Sequence, residues 1–263
     1  LREGEGLISR RPFRKPHHTV SRSALIGGGA IPVPGEISLA HQGVLFLDEM
    51  TEFQPDILDL LRQPLEDQAV RLVRLRHSIT YPADFMLVGA ANPCRCGECL
   101  EPNAVCRCSD DSIRQHLNRL SGPLLDRIDL TVEMTRLTAE EMQQSVSVQI
   151  NPVSLSQEMA MQIRDCWGIQ QRRCQHHRLA VSGNARISGP ALAVILEIPD
   201  ATTAFAAQAA ARFNLSVRSY QKVLRVARTI ADLESCHRVG LDHVAEALQY
   251  RFRWPEGMER RGA

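Results

Sequence analysis

The chain has 263 residues with 31 basic and 30 acidic side chains, a formal net charge of +1. That length suits one large domain or two ordinary ones, and 44% hydrophobic with 23% charged residues excludes a disordered or fibrous chain. The near-neutral balance excludes a globally basic nucleic-acid footprint, and no apolar run reaches the roughly 18 residues a bilayer span needs. In chain order, the opening Leu-Arg-Glu-Gly-Glu-Gly is not a signal peptide. Lacking an initiator Met, it reads as part of a longer product. Residues 1–42 are rich in Gly, Pro, Arg and Ser and read as loop with short helix or hairpin pieces. Residues 43–47, Gly-Val-Leu-Phe-Leu, form a short apolar run ending in Asp48-Glu49, the pattern of a buried parallel strand. Residues 55–66 read as a helix with Pro55 in its first turn and Ile57, Leu58, Leu61 and Leu65 on its buried face. Residues 69–80 alternate Val70, Leu72, Leu75 and Ile79 with Arg71, Arg74, Arg76 and His77, as in an arginine-studded β-hairpin. Residues 84–91 read as a second buried strand ending at Asn92-Pro93, residues 111–127 as helix, and 128–134 as a further strand. Beyond residue 136 strand-like runs stop. Helices are expected over 155–178, 188–197, 201–213, 217–234 and 241–250, with Val217, Tyr220, Leu224, Ala227 and Ile230 at helical spacing in the fourth. The organisation expected is a mixed α/β part over 1–135, a linker over 136–156 and a helical part over 157–255.

Chemistry concentrates at three places. A hydrophobic strand ending in Asp48-Glu49 has the Walker B arrangement: the Asp helps hold Mg²⁺ on a nucleotide, and the Glu orients and activates the attacking water. The plain alternative is a strand that ends in two solvated acids. Asn92, at the next strand's end, offers an amide to the same water or to a γ-phosphate. Five of the eight cysteines fall in a short stretch: Cys94, Cys96, Cys99, Cys106 and Cys108. Such clustering suits structural zinc in a reducing compartment better than a secreted disulfide framework, with free thiols or redox chemistry as alternatives. A catalytic zinc is not expected, because four thiolates leave no open coordination position. Arg71, Arg74 and Arg76 on one hairpin suit a nucleic-acid phosphate backbone; the alternative is an edge hairpin kept soluble by charge. Lys15 and Lys222 are the only lysines, and neither lies in Gly-x-x-x-x-Gly-Lys-Ser/Thr.

Several strings are long and specific. They are Arg11-Pro-Phe-Arg-Lys-Pro-His-His-Thr-Val-Ser21, Gly27-Gly-Gly, Pro34-Gly-Glu through Phe-Leu-Asp-Glu49, Asn92-Pro-Cys-x-Cys96, Cys106-Arg-Cys108, Leu120 to Leu130, and Ser216-Val-Arg218 through Asp232. On these the chain resembles the magnesium-chelatase-like AAA+ ATPases, in their ComM/YifB branch. The resemblance implies an α/β P-loop NTPase core, partial and built on a parallel sheet, followed by an all-α lid. It implies ATP and Mg²⁺ as cofactors, with Asp48 and Glu49 as the Walker B pair. Asn92 then matches sensor 1, Arg127 an arginine finger acting on a neighbouring subunit, and Arg218 sensor 2. For Arg127 the local alternative is a salt bridge with Asp126 or Asp129; for Arg218 it is a solvated helix charge. The resemblance further implies a cytoplasmic homo-oligomeric ring, hexameric, that couples ATP hydrolysis to DNA translocation or branch migration in natural transformation and recombination.

Two departures stand out. Cys99 is an extra cysteine inside the loop, so the expected Zn²⁺ ligands are Cys94, Cys96, Cys106 and Cys108 with Cys99 as the alternative. The family's Walker A loop and its N-terminal domain resembling the Lon protease are not among these residues, so the chain by itself is expected to bind ATP poorly. The alternatives are the ATPase motor subunit of a magnesium-chelatase-type complex, or a catalytically incomplete zinc-bearing fragment that joins rings of a complete relative.

Overall fold

The computed structural model describes residues 10–29, 31–74, 77–101, 105–147, 152–181 and 183–253. The chain divides into two compact units, one running to Ile128 and the other from Asp129 to Arg253.

The first unit is built around a parallel sheet. Strand β1 (Phe13–Arg14) is followed by helix α1 (Arg22–Ile26), whose Ser21 cap accepts the Ala24 N–H. The pair β2 (Gly27–Gly28) and β3 (Val33–Pro34) comes next, then α2 (Glu36–Leu39) and β4 (Val44–Leu47). At Gly27, φ is +107° and an added Cβ would lie 2.3 Å from the Val33 carbonyl oxygen, so only glycine fits. Strand β4 lies between β1 and β7 (Met86–Gly89), parallel to both. Its Leu45 and Leu47 are buried with Ile37, Phe53, Leu58, Leu61 and Leu124 in one apolar core. Strand β7 is more exposed than its composition suggests: Met86 is 64% exposed.

The expected helix over 55–66 is two helices, α3 (Pro55–Asp59) and α4 (Arg62–Asp67). Pro64 is the reason. In one continuous helix its ring would meet the Leu60 carbonyl, and it has no N–H to donate there. The hairpin is present, with β5 (Ala69–Arg74) antiparallel to β6 (His77–Pro82) and Arg71 opposite Thr80. The expected helix over 111–127 also divides, into α5 (Asp110–Leu117) and α6 (Gly122–Leu125). Pro123 again forbids continuity, and Ser121 starts the second piece by accepting the Leu124 N–H while donating to Asp59 at 2.6 Å. The strand expected over 128–134 does not form. Leu130, Val132 and Met134 are exposed, and the Thr131 N–H donates instead to the Tyr250 carbonyl. Alternating apolar residues make a strand only where a sheet edge receives them.

The second unit is helical. Residues 136–156, read from sequence as a linker, contain α7 (Ala139–Ser147), and α8 (Pro152–His176) begins within them. Helix α7 opens on a capping box: Thr138 Oγ1 accepts the Glu141 N–H, and Glu141 accepts the Thr138 N–H. Then come α9 (Pro190–Leu196), α10 (Asp200–Arg212), α11 (Val217–Leu233) and α12 (Leu241–Gln249). Helix α11 buries Val223, Leu224, Ala227, Ile230 and Ala231 against Leu192, Ile195, Val244 and Leu248. Val217, at its first position, is exposed. Burying each large aliphatic side chain contributes about 1.5–3 kcal/mol. Arg228 and Asp232 are fully buried in the same unit. Asp232 is gripped by Arg173, Arg228 and Asn184, while Arg228 also donates to the carbonyls of Leu196, His237 and Cys236.

Candidate functional site

Because β1, β4 and β7 are parallel, their C-terminal ends share one edge, where open α/β sheets bind ligands. Strand β1 leads into Lys15, β4 into Asp48-Glu49, and β7 into Ala90-Ala91-Asn92. Two backbone bonds tie the last two tips together. The Met50 N–H donates to the Ala90 carbonyl at 2.7 Å, and the Ala90 N–H donates to the Leu47 carbonyl at 2.9 Å. Buried His116 holds the Asn92 carbonyl at 3.1 Å, which fixes the backbone carrying that exposed amide.

The acids are accessible and individually partnered. Lys15 Nζ donates to Asp48 Oδ2 at 2.8 Å and stands 5.1 Å from the centre of the Phe46 ring. That hydrogen bond holds the Asp48 carboxyl below the ordinary aspartate range. Glu49 sits in the left-handed backbone region, φ 49°, ψ 48°. A non-glycine residue there is strained by about 1–2 kcal/mol, and such strain gathers at functional sites. His18 Nδ1 lies 3.7 Å from Glu49 Oε2, and its ring stands 4.0 Å from that of His17 and edge-on to Phe53. Sequence reasoning passed over Lys15 and His18 as site residues. They lie in what read as loop, though one of only two lysines beside paired histidines was a usable signal.

Arg127 does not pair with Asp126 or Asp129. Its guanidinium is held by Glu66 and by the Pro123 carbonyl, and its side chain is 15% exposed. Arg218 is exposed at the second position of α11. In the hairpin, Arg71 is exposed and Arg74 is placed opposite His77 by the register, while Arg76 lies outside the described residues.

The cysteine loop closes on itself. The Sγ atoms of Cys94, Cys96, Cys106 and Cys108 lie within 4.8 Å of one another. Three of the separations are 3.4, 3.5 and 3.8 Å. Tetrahedral zinc with bonds of about 2.3 Å spaces its sulfurs by about 3.8 Å, so the donor set fits that ion. Cys99 is not part of this group; burial pushes its thiol up to about 12. Backbone N–H groups of Glu98 and Arg107 bring Cys96 down to about 6, while burial and the neighbouring thiols push Cys106 up to about 12 and raise Cys108. Cys94 is buried against Ile113 and Leu117 of α5, which anchors the loop to the first unit.

A parallel sheet with two acids and an amide at its strand tips, followed by a helical region, defines a magnesium-chelatase-like AAA+ domain. The chain belongs to the magnesium chelatase ChlI family: residues 1–142 match the ChlI subunit and residues 154–251 its C-terminal domain. Its relatives include the competence protein ComM of Haemophilus influenzae, 41% identical over 92% of this chain and 45% of that protein. YifB of Salmonella typhimurium is 38% identical over the same shares, 92% and 45%. The magnesium-chelatase 38 kDa subunit of Cereibacter sphaeroides is 26% identical over 88% of this chain and 60% of the subunit. The chain thus spans a little under half the length of ComM and YifB.

Proposed function

We propose that this chain is the hydrolytic part of a cytoplasmic, ring-forming ATPase that moves along DNA. The observation that carries the reading is the shared edge at which Asp48, Glu49 and Asn92 leave adjacent parallel strands. Exposed carboxylates at that edge fit a magnesium nucleotide: Asp48 would hold Mg²⁺, which neutralises charge developing on the phosphates. Lys15 keeps Asp48 ionised and must yield it to the metal. Glu49 accepts a proton from the attacking water, and its backbone conformation aims it off the strand end. Asn92, its backbone pinned by His116, orients that water. Arg127 acts on a neighbouring subunit's phosphates after leaving Glu66. Arg218, at the second position of α11, takes the sensor 2 role. Zn²⁺ in the four-cysteine group would be structural. The hexameric ring, the Arg71, Arg74 and Arg76 contacts to DNA, and branch migration in transformation belong to the same proposal. Identity with a relative named a competence protein supports it.

The test is Glu49→Gln in the full-length protein. Nucleotide binding persists while DNA-stimulated ATP turnover falls by roughly 10²–10⁴, the usual worth of a positioned base. Unchanged turnover overturns the assignment. The similarity to a magnesium-chelatase subunit favours a second reading, a chelatase motor. ATPase activity that ignores DNA but responds to a tetrapyrrole-binding partner would select it.

A further inference from the structure

The helical unit carries a basic, aromatic notch between the ends of α10 and α12. Its cavity of about 350 Å³ lies at the small end of ligand pockets. Arg212, Arg251 and Arg253 line it with Phe205, Phe213 and Leu248, and no acidic residue does. The Arg251 guanidinium lies 3.8 Å from the centre of the Phe213 ring, and Arg212 stands 5.9 Å from the same ring. One Arg251 N–H caps the Leu248 carbonyl at 2.8 Å. That bond and the ring stack fix the guanidinium plane and leave further N–H groups for a ligand.

Among the described residues no carboxylate pairs with Arg212, Arg251 or Arg253. Burial and then the neighbouring Arg253 charge both lower the Arg251 pKa, so these cations crowd at a cost. Elsewhere in the unit arginines converge on an acid, as Arg173 and Arg228 do on Asp232. Terminal arginines also suit helix C-termini. That role needs neither three of them around one cavity nor the aromatic floor.

We propose that this notch binds single-stranded nucleic acid, phosphates against Arg212 and Arg253 and one base extending the Phe213–Arg251 stack. Guanidinium groups interleaved with aromatic rings suit an unpaired strand, since each exposed base offers a π-face. A duplex keeps its bases out of such a concave slot. The site is separate from the strand-tip acids and needs no ATP.

The test uses the whole chain and a fluorescein-labelled oligothymidylate, read by anisotropy without nucleotide. Arg212→Glu with Arg253→Glu, both exposed positions, is expected to weaken binding at least roughly tenfold and to flatten the salt dependence by about 1.4 in log–log slope, at about 0.7 per phosphate contact. An unchanged thermal midpoint shows that the variant is folded. With 2-aminopurine in the strand, Phe213→Leu removes the stacking quench. Affinity unchanged by the double reversal overturns the proposal. So does equal binding of duplex, full displacement by inorganic phosphate alone, or absence of binding by the unaltered chain. Glu49→Gln leaves oligothymidylate binding intact, so failure here and failure of the ATPase reading are separate outcomes.

Discussion

At the scale of single residues, the informative feature is that each acid at the strand tips already has a basic side chain beside it. Lys15 lies on Asp48 and His18 beside Glu49. Both carboxylates are largely exposed, so the contacts contribute little to stability. Their consequence is electrostatic. Lys15 depresses the Asp48 pKa, so the pair's small stabilisation is present above the ordinary aspartate pKa and is lost as pH falls through the depressed value. In Lys15→Met the Asp48 carboxyl returns toward about 3.9, which a carbon-13 NMR titration reads directly. An unchanged titration would mean that the contact does not persist in solution. On the proposed reading of Asp48 as the Mg²⁺ ligand, the same change in the full-length protein removes the cation that Mg²⁺ would have to displace, so less magnesium is expected to be needed for half-maximal ATPase. Neither partner could be paired with its acid from the sequence. The separation of 33 residues between Lys15 and Asp48 is closed only by β1 lying beside β4.

Among the elements, the cysteine loop and the long helices behave differently under sequence reading. Helical periodicity found α8 to α12 because each presents an apolar face to a shared core. The prolines were the oversight: Pro64 and Pro123 each cut an expected helix in two, and the residues alone say why. Helix α7 was legible too, since Thr138-x-x-Glu141 is the spacing of a capping box. The paired spacing Cys94-x-Cys96 and Cys106-x-Cys108 points to the four thiols that the fold gathers, while Cys99, the alternative ligand, is set aside only by its position off the cluster. Metal analysis is expected to find about one zinc per chain, retained by Cys99→Ser and lost by Cys96→Ser with Cys106→Ser. Loss in the Cys99 variant as well would contradict the four-thiolate assignment. Acidification releases the metal, because protons compete for thiolate sulfur.

For the molecule as a whole, each unit has its own core, and the second hides ions inside its core. Among the described residues, Asp232 is the acid that pairs with both Arg173 and Arg228. Removing it strands two guanidinium groups away from water, so Asp232→Ala is expected to cost about 3–5 kcal/mol. Chemical denaturation of the chain measures this, with the loss in the second unit's transition. Arg173→Met leaves Arg228 still paired with Asp232 and costs less. If both variants unfold at the wild-type denaturant concentration, the network is not what holds α8 to α11.

The sequence by itself determined the strand that carries Asp48-Glu49, the hairpin, the helical second half and the family resemblance. All of these are local periodicities or contiguous strings. Tertiary structure alone decided that Lys15 answers Asp48, that Glu66 holds Arg127, that Cys99 stands aside and that three arginines line one notch with Phe213. The pairings of Lys15 with Asp48 and of Glu66 with Arg127 join residues far apart in the chain, and the distance between such residues is set by packing rather than by any repeat along the backbone.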